Sequence, residues 1–324
     1  MTSRERFLRT MRYERPDRVP YLEEGLRDDV LQRWRAEGLP ADADLATMFH
    51  TDRREQIELV LEPLPRSKVR PTSRRGLRTL RERLNPADPA RFPKDWPARV
   101  KAWKTRRHIL ELRISHGFFL SMGAGTWPGF TEVMYLLSDA PDLVREITAI
   151  HGEFAARMAE RVLREVEVDW LIFSEPIGGN EGPLLSPRQY EEFVLSGYRP
   201  ALDVIRRHGV PAICLVTYAN ARVLLPSIVN AGFNCLWACE VNTDAMDYRD
   251  IRREFGRDLR LIGGIDLDTL SVGKAAIRRE MLSKAAPLLA GGGYIPLADG
   301  RVRANVPFEN YAYYRRLMEK MTRR

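Results

Sequence analysis

Four carboxylates recur at the ends of short apolar runs: Glu175 after DWLIFS, Glu240 after the run at 234–238, Asp266 after LRLIGG and Asp299 after GGYIPLA. An apolar run of that length, bounded by turn residues, reads as a strand buried on both faces, so each acid is expected at a strand's C-terminal exit. Carboxylates converging there could exchange protons with a substrate or orient it through hydrogen bonds. In parallel α/β proteins that rim is where chemistry is assembled. Any one of these acids could equally be a solvated loop residue, so the argument rests on four in corresponding places.

A metal centre is the obvious rival. Cys235 and Cys239 flank the run at 234–238 and share one side of it, but strand rise puts them about 13 Å apart, too far to hold one zinc ion. Neither Cys214 nor His208 completes a ligand set, so no bound metal is expected. The glycines at 291–293 lack the register of a dinucleotide fingerprint, and the chain contains no phosphate-binding P-loop and no GxSxG elbow. Three cysteines are an odd number, against a disulfide framework and for a reducing, cytoplasmic compartment.

The elements that must carry the acids follow a strand-then-helix rhythm from about residue 168 onward, the pattern of a (β/α)8 TIM barrel. Ser186-Pro187-Arg188-Gln189 announces a helix, with serine at the cap and glutamine three residues on; Pro200 should bend or divide it. Near the N-terminus, Thr2 caps a short amphipathic helix bearing Phe7, Leu8 and Met11. A first barrel strand is read over Arg18–Leu22, with Glu23 and Glu24 at its exit. A strand is also expected over Phe118–Met122, leading into Gly123, Gly125, Trp127 and Gly129, a loop suited to pass close to a flat ligand. Residues 25–107 break the rhythm and read as an arginine-rich excursion packed over one end, with an exposed hairpin near 68–83.

With 324 residues and 44% hydrophobic content, the chain can build one large domain, and 1–324 is read as a single barrel. Its net charge is +8, yet residues 51–107 hold 17 Lys or Arg against 7 Asp or Glu, leaving the remainder at −2. Such an excess attracts anions or acidic partners, or is simply a solvated face. No nucleic-acid motif accompanies it, and no run approaches the ~18 apolar residues of a membrane span. Neither nucleic acid nor membrane is an expected partner.

Several of these stretches resemble the uroporphyrinogen decarboxylase superfamily, especially its methyltransferase-like, corrinoid-linked branch. They are SRERFLRTMRYERPDRVP, GPLLSPRQYEEFV, LIGGIDLDTL and GGGYIPLADGRVRANVPFENYAYY, in that order and spanning nearly the whole chain. The resemblance implies a TIM barrel with its cleft at the C-terminal strand ends. It implies either cofactor-free porphyrinogen decarboxylation or methyl transfer among a small methylated compound, a corrinoid and a thiol or folate acceptor. Glu175, Glu240, Asp266, Asp299 and Asn310 match family positions.

The chain departs from the family at three places. YLEEGLR stands where decarboxylases carry arginines that hold substrate carboxylates, leaving only Arg27 nearby. CLVTYAN stands where zinc-dependent methyltransferases carry histidine and cysteine, and Asp299-Gly300 replaces an Asp-His pair. The leading expectation is therefore methyl transfer from a small methyl ether or amine to a corrinoid (cobalamin) on a partner protein. Glu175 or Glu240 would protonate the leaving atom, and Tyr218 and Asn220 would orient the substrate beside Asp266 and Asp299. Tyr21 and Trp127 would stack on an aromatic ring, and Arg27, Arg301 and Arg303 would meet an anionic group. The alternatives are a carboxy-lyase acting on a carboxylated pyrrole or aromatic compound, and a catalytically silent barrel that binds a tetrapyrrole or corrinoid. A homodimer remains open.

Overall fold

Apolar runs too short for helices and bounded by glycine or polar turns become strands because their two faces can both be buried. The computed structural model describes residues 1–65, 74–240 and 245–323. In it such runs form β1 (Arg54–Ile57), β2 (Ile109–Ser115), β3 (Trp170–Glu175), β4 (Ile213–Tyr218), β5 (Cys235–Cys239), β6 (Arg260–Gly263) and β7 (Tyr294–Ile295). All pair in parallel and in chain order, with helices between successive strands from β2 onward.

Strand alternation sorts the core into two sets. Leu171 and Phe173, Ile213 and Leu215, Leu236 and Leu261 pack outward against helices. Trp170 and Ile172, Cys214 and Val216, Cys235, Trp237 and Cys239, Ile262 and Ile295 turn inward and touch one another across the curl of the sheet. The helix Ser3–Met11 closes the floor of this lumen with Phe7 and Met11. Its start is fixed by a capping box between Thr2 and Glu5. Phe7 lies 5.2 Å from Trp170, which stacks on Trp237 at 5.8 Å. The result is a curled, TIM-barrel-like parallel sheet of seven described strands.

Four expectations need correction. Residues 18–22 form no ladder. Tyr21 and Asp52 exchange bonds, and Leu26 makes one parallel bridge to Val302. Pro16 and Pro20 offer no N–H and Gly25 turns the chain at φ 95°, which explains why pairing stays fragmentary. Phe118–Ser121 is a helical turn, because Gly117 at φ 98° ends the extended path and Glu175 accepts from the Phe118 N–H. Residues 25–107 are more than a covering: they supply edge strand β1, and the helix Arg74–Arg83 buries Leu77 and Leu80 on one stripe. The rest of the expected hairpin, 68–73, lies outside the described residues. The helix Ser196–Arg207 runs on through Pro200, and the irregularity falls just before it, in a π-helical turn at Tyr190–Leu195.

Candidate active site at the mouth of the curled sheet

β2 reads ILELRIS, and its Leu110, Leu112 and Ile114 belong to the outer core. Alternation therefore points Glu111 and Arg113 into the lumen. A register shift between Arg113 and Ser115 then turns Ser115 to the outer side, where its Oγ lies 3.2 Å from the Tyr198 hydroxyl. Glu111 is buried, with Oε2 3.7 Å from Nη1 of Arg54 on β1. Burial raises its pKa and the guanidinium groups of Arg54 and Arg113 oppose that rise. Arg54 also lies over the Trp237 ring at 5.1 Å. Glu111 Oε2, Arg113 Nε and Trp237 Nε1 are buried without a hydrogen-bond partner among the described residues. Three unsatisfied polar atoms on neighbouring inward positions mark a lumen built to receive a polar molecule.

Above them sits the rim. Cys239, the last residue of β5, donates its thiol to Glu24 Oε1 at 2.9 Å. Burial, reinforced by the Glu24 carboxylate, pushes the thiol up and keeps it protonated. Tyr218 ends β4 half-buried; burial raises its phenol, with Cys239, Glu24 and Glu240 adding to the rise and Arg113 opposing it. Behind the rim, burial lifts the Glu23 carboxyl to about 7 against the pull of Arg315, whose Nη1 is 3.1 Å away.

Glu240 adopts φ 47°, unusual for a side chain of its size, and its N–H donates to the Asp299 carbonyl at 2.6 Å. Its carboxylate pairs with Arg27 at 2.8 Å. Asp299 is buried and accepts from Leu267 N–H at 2.9 Å, so the exits of β5, β6 and β7 are tied together. Gly300, at φ 144°, passes so near that a Cβ would lie 3.2 Å from Glu240 Cγ. Glu240, Asp299, Arg27 and Tyr218 are thus brought to one rim, as the sequence suggested.

The remaining candidates go elsewhere. Glu175 follows the outward parity of Leu171 and Phe173 and accepts from Phe118 N–H and the Tyr198 hydroxyl, on the helix side of the sheet. Tyr21 is buried with its hydroxyl 2.8 Å from Thr322 Oγ1, pinning the last helix. Trp127 is 83% exposed at the start of helix Trp127–Asp139, against Phe130 rather than in the lumen. Asn220 accepts from Arg222 N–H, and Asp266 accepts from Asp268 N–H and the Thr269 hydroxyl; both shape turns. Arg301 bonds the Leu26 carbonyl at 3.1 Å and Arg303 bonds Asp268 at 2.8 Å, each holding a loop. Glu111, Arg113, Arg54 and the Cys239–Glu24 pair were missed as a site. The available signal was two charges two residues apart inside an otherwise apolar strand.

The sequence model described as uroporphyrinogen decarboxylase (URO-D) matches residues 119–320, more than half of the chain. The chain belongs to the URO-D family. Members of that family are enzymes, decarboxylases and methyltransferases among them. A comparison with curated proteins gave no significant match. The URO-D match begins after β2, so Glu24, Arg54, Glu111 and Arg113 lie outside the matched residues while Tyr218, Cys239, Glu240 and Asp299 lie within it. No described helix is long and apolar enough to cross a membrane.

Proposed function

We propose that the mouth transfers a methyl group from a small neutral or cationic methyl ether or methylamine to a corrinoid carried by a partner protein. The observation that carries this reading is the charge inventory of the lumen and rim. Glu24, Glu111, Glu240 and Asp299 face three arginines. Of these, Arg54 is spent on Glu111 and Arg27 on Glu240. A substrate bearing several carboxylates would meet repulsion there, whereas an ether or an ammonium would not.

Expelling an alkoxide or an amide anion at neutral pH is slow without a proton donor. We assign that role to Glu111, whose side chain faces the lumen and whose pKa burial raises while Arg54 and Arg113 oppose the rise. In this reading the acid is Glu111 on β2 rather than Glu175 or Glu240, the two expected from sequence. Arg113 and Tyr218 would orient the donor, and the Arg27–Glu240 pair would close the rim over it. The corrinoid would supply the methyl-accepting metal nucleophile. Because it comes on its own protein, this chain needs an open mouth rather than an enclosing cage. Among the described residues no three His, Cys, Asp or Glu side chains are grouped to hold a metal, so the donor set does not fit a zinc-held thiol acceptor.

A second reading, decarboxylation of a substrate with a single carboxylate, is favoured by Arg113 alone, whose Nε has no partner. The test is anaerobic mixing of the protein with reduced corrinoid and a panel of methoxylated and N-methylated compounds, following the corrinoid's visible spectrum. A change that needs both protein and one donor supports methyl transfer. No change with any donor, together with carbon dioxide release from a monocarboxylated aromatic compound, would replace it by the second reading.

A further inference from the structure

The outer side of β2 borders a second space, separated from the lumen by the sheet itself. A cavity of about 600 Å³ lies among the end of β2, the turn Phe118–Ser121 and the helices Pro141–Leu163 and Ser196–Arg207. That size is in the range that encloses a drug-sized molecule. Leu80, Ile114, Phe118, Met122, Phe154 and Val194 make most of its wall, and no Lys or Arg is among its described lining residues. No Lys or Arg answers an anion there; the lining carboxylate, Glu62, lies at the exposed edge 3.8 Å from His116 Nε2, and elsewhere a cation would exchange water for hydrocarbon.

Its polar groups are unequally committed. Ser115 Oγ is bonded to the Tyr198 hydroxyl, which in turn donates to Glu175, so these hydroxyl protons are already used. His151 also lines the cavity. Burial lowers its pKa to about 4, so the ring is neutral, and the Ser121 backbone engages it. The other ring nitrogen, Nε2, is buried and has no hydrogen-bond partner. In a neutral imidazole whose Nδ1–H is donated to a carbonyl, Nε2 is an acceptor in need of a donor.

We infer that this outer cavity binds a neutral, mainly aromatic molecule with one hydroxyl, the hydroxyl donating to His151. The ring would pack against Phe118 and Phe154, and the ligand would touch Ile114 and Ser115. Those residues lie on the strand whose inner face carries Glu111 and Arg113, so occupancy is coupled to the mouth through one strand.

Equilibrium dialysis of the full chain with 2-naphthol, and with 2-methylnaphthalene as a probe of similar size lacking a donor, tests this. The expected result is one 2-naphthol per chain, bound about tenfold more tightly than 2-methylnaphthalene, the difference one hydrogen bond makes. His151→Phe should erase that preference. Ala155→Phe and Ser121→Phe each place a ring in the cavity and should weaken both probes at least tenfold, with circular dichroism confirming the fold. In the unaltered chain, the 13C-methyl resonance of Met122 should shift on adding 2-naphthol. Absence of binding, equal affinity for the two probes, unchanged binding in a folded filling variant, or an unmoved Met122 resonance would each overturn the inference.

Discussion

Glu111, in the first half of β2 beside Trp170, and Glu175, at the exit of β3, are both buried carboxyls, and they face opposite ways. Glu111 points into the lumen between Arg54 and Arg113, with one oxygen unpartnered. Glu175 points toward the helices, has no cation beside it, and has its oxygens taken by Phe118 N–H and the Tyr198 hydroxyl. The first arrangement leaves a lumen-facing carboxyl oxygen without a hydrogen bond; the second uses the same chemistry to hold a turn and a helix against the sheet. Parity along the strand sets which of the two faces the lumen, and the one at the strand exit is not that one.

Exchanging the two glutamates for glutamine is the sharpest way to break that contrast. Glu111→Gln keeps the shape but removes the proton, and should lower turnover of whichever methyl donor is active by roughly 100-fold or more. Glu175→Gln should leave turnover within about threefold. If the losses were reversed, the acid would return to β3 and the lumen reading would fail.

Burial also gives Glu175 a signature in the pH dependence of stability. Burial raises the Glu175 carboxyl to about 7 in the folded chain, well above the ordinary carboxylate value it regains on unfolding. A group with a raised folded pKa contributes stability that is complete below its unfolded pKa and is lost as pH rises through the folded one. Wild-type stability should therefore fall between about pH 4.5 and 7, by roughly 2–3 kcal/mol from this group, and Glu175→Gln should remove that part of the slope. Urea titrations at pH 5 and pH 8 measure it. Glu23, also raised to about 7, leaves a residual slope in the variant. Equal slopes in the two proteins would mean that Glu175 is not buried as described.

A third contrast lies in how closely the outer layer packs. Gly152 and Gly197 let the helices Pro141–Leu163 and Ser196–Arg207 approach so nearly that a Cβ on Gly152 would sit 1.9 Å from the Gly197 carbonyl oxygen. Gly152→Ala should cost about 1–3 kcal/mol by forcing the helices apart. Gly182, in a loop where a Cβ would meet nothing within 4 Å, should accept alanine within about 0.5 kcal/mol. Thermal melts of the two variants side by side would show whether the close approach, rather than glycine content, is what matters.

The β-then-α order from β3 onward was legible because each strand is a dense apolar run bounded by glycine, proline or an acid. So were the capped helix starts at Thr2 and Ser186. The segment 18–22 was misread because Pro20, with Pro16 before it, removes a ladder donor, a tertiary consequence of residues that look merely extended. Phe118–Met122 was misread because four apolar residues and one serine carry no period. At the site, Glu240 and Asp299 were expected at strand exits, whereas Arg27 and Tyr218 entered through the family resemblance. Which way Glu175 and Glu111 face was not legible, since in a strand buried on both faces only the packed partners show which parity faces the lumen. Tyr21 and Trp127 show the same limit: an aromatic side chain does not reveal in sequence whether it anchors a helix or lies on the surface.

The smallest expected effect compares the two capped helices. Thr2 caps the helix that plugs the lumen floor, and Ser186 caps the helix that packs outside the sheet; each makes a reciprocal capping box. Alanine at either position should cost about 1 kcal/mol, because both lose the same bond to an otherwise orphan N–H. Their consequences for the lumen should differ. Loosening Ser3–Met11 disturbs Phe7 against Trp170, which stacks on Trp237, so Thr2→Ala should shift the intrinsic tryptophan emission and weaken donor binding slightly. Ser186→Ala acts behind the outer core and should change neither. Matching stability losses with unlike fluorescence would show that the floor helix is part of the lumen's construction. A Thr2→Ala variant with unaltered emission would mean that the packing of Trp170 and Trp237 is set by the strands alone.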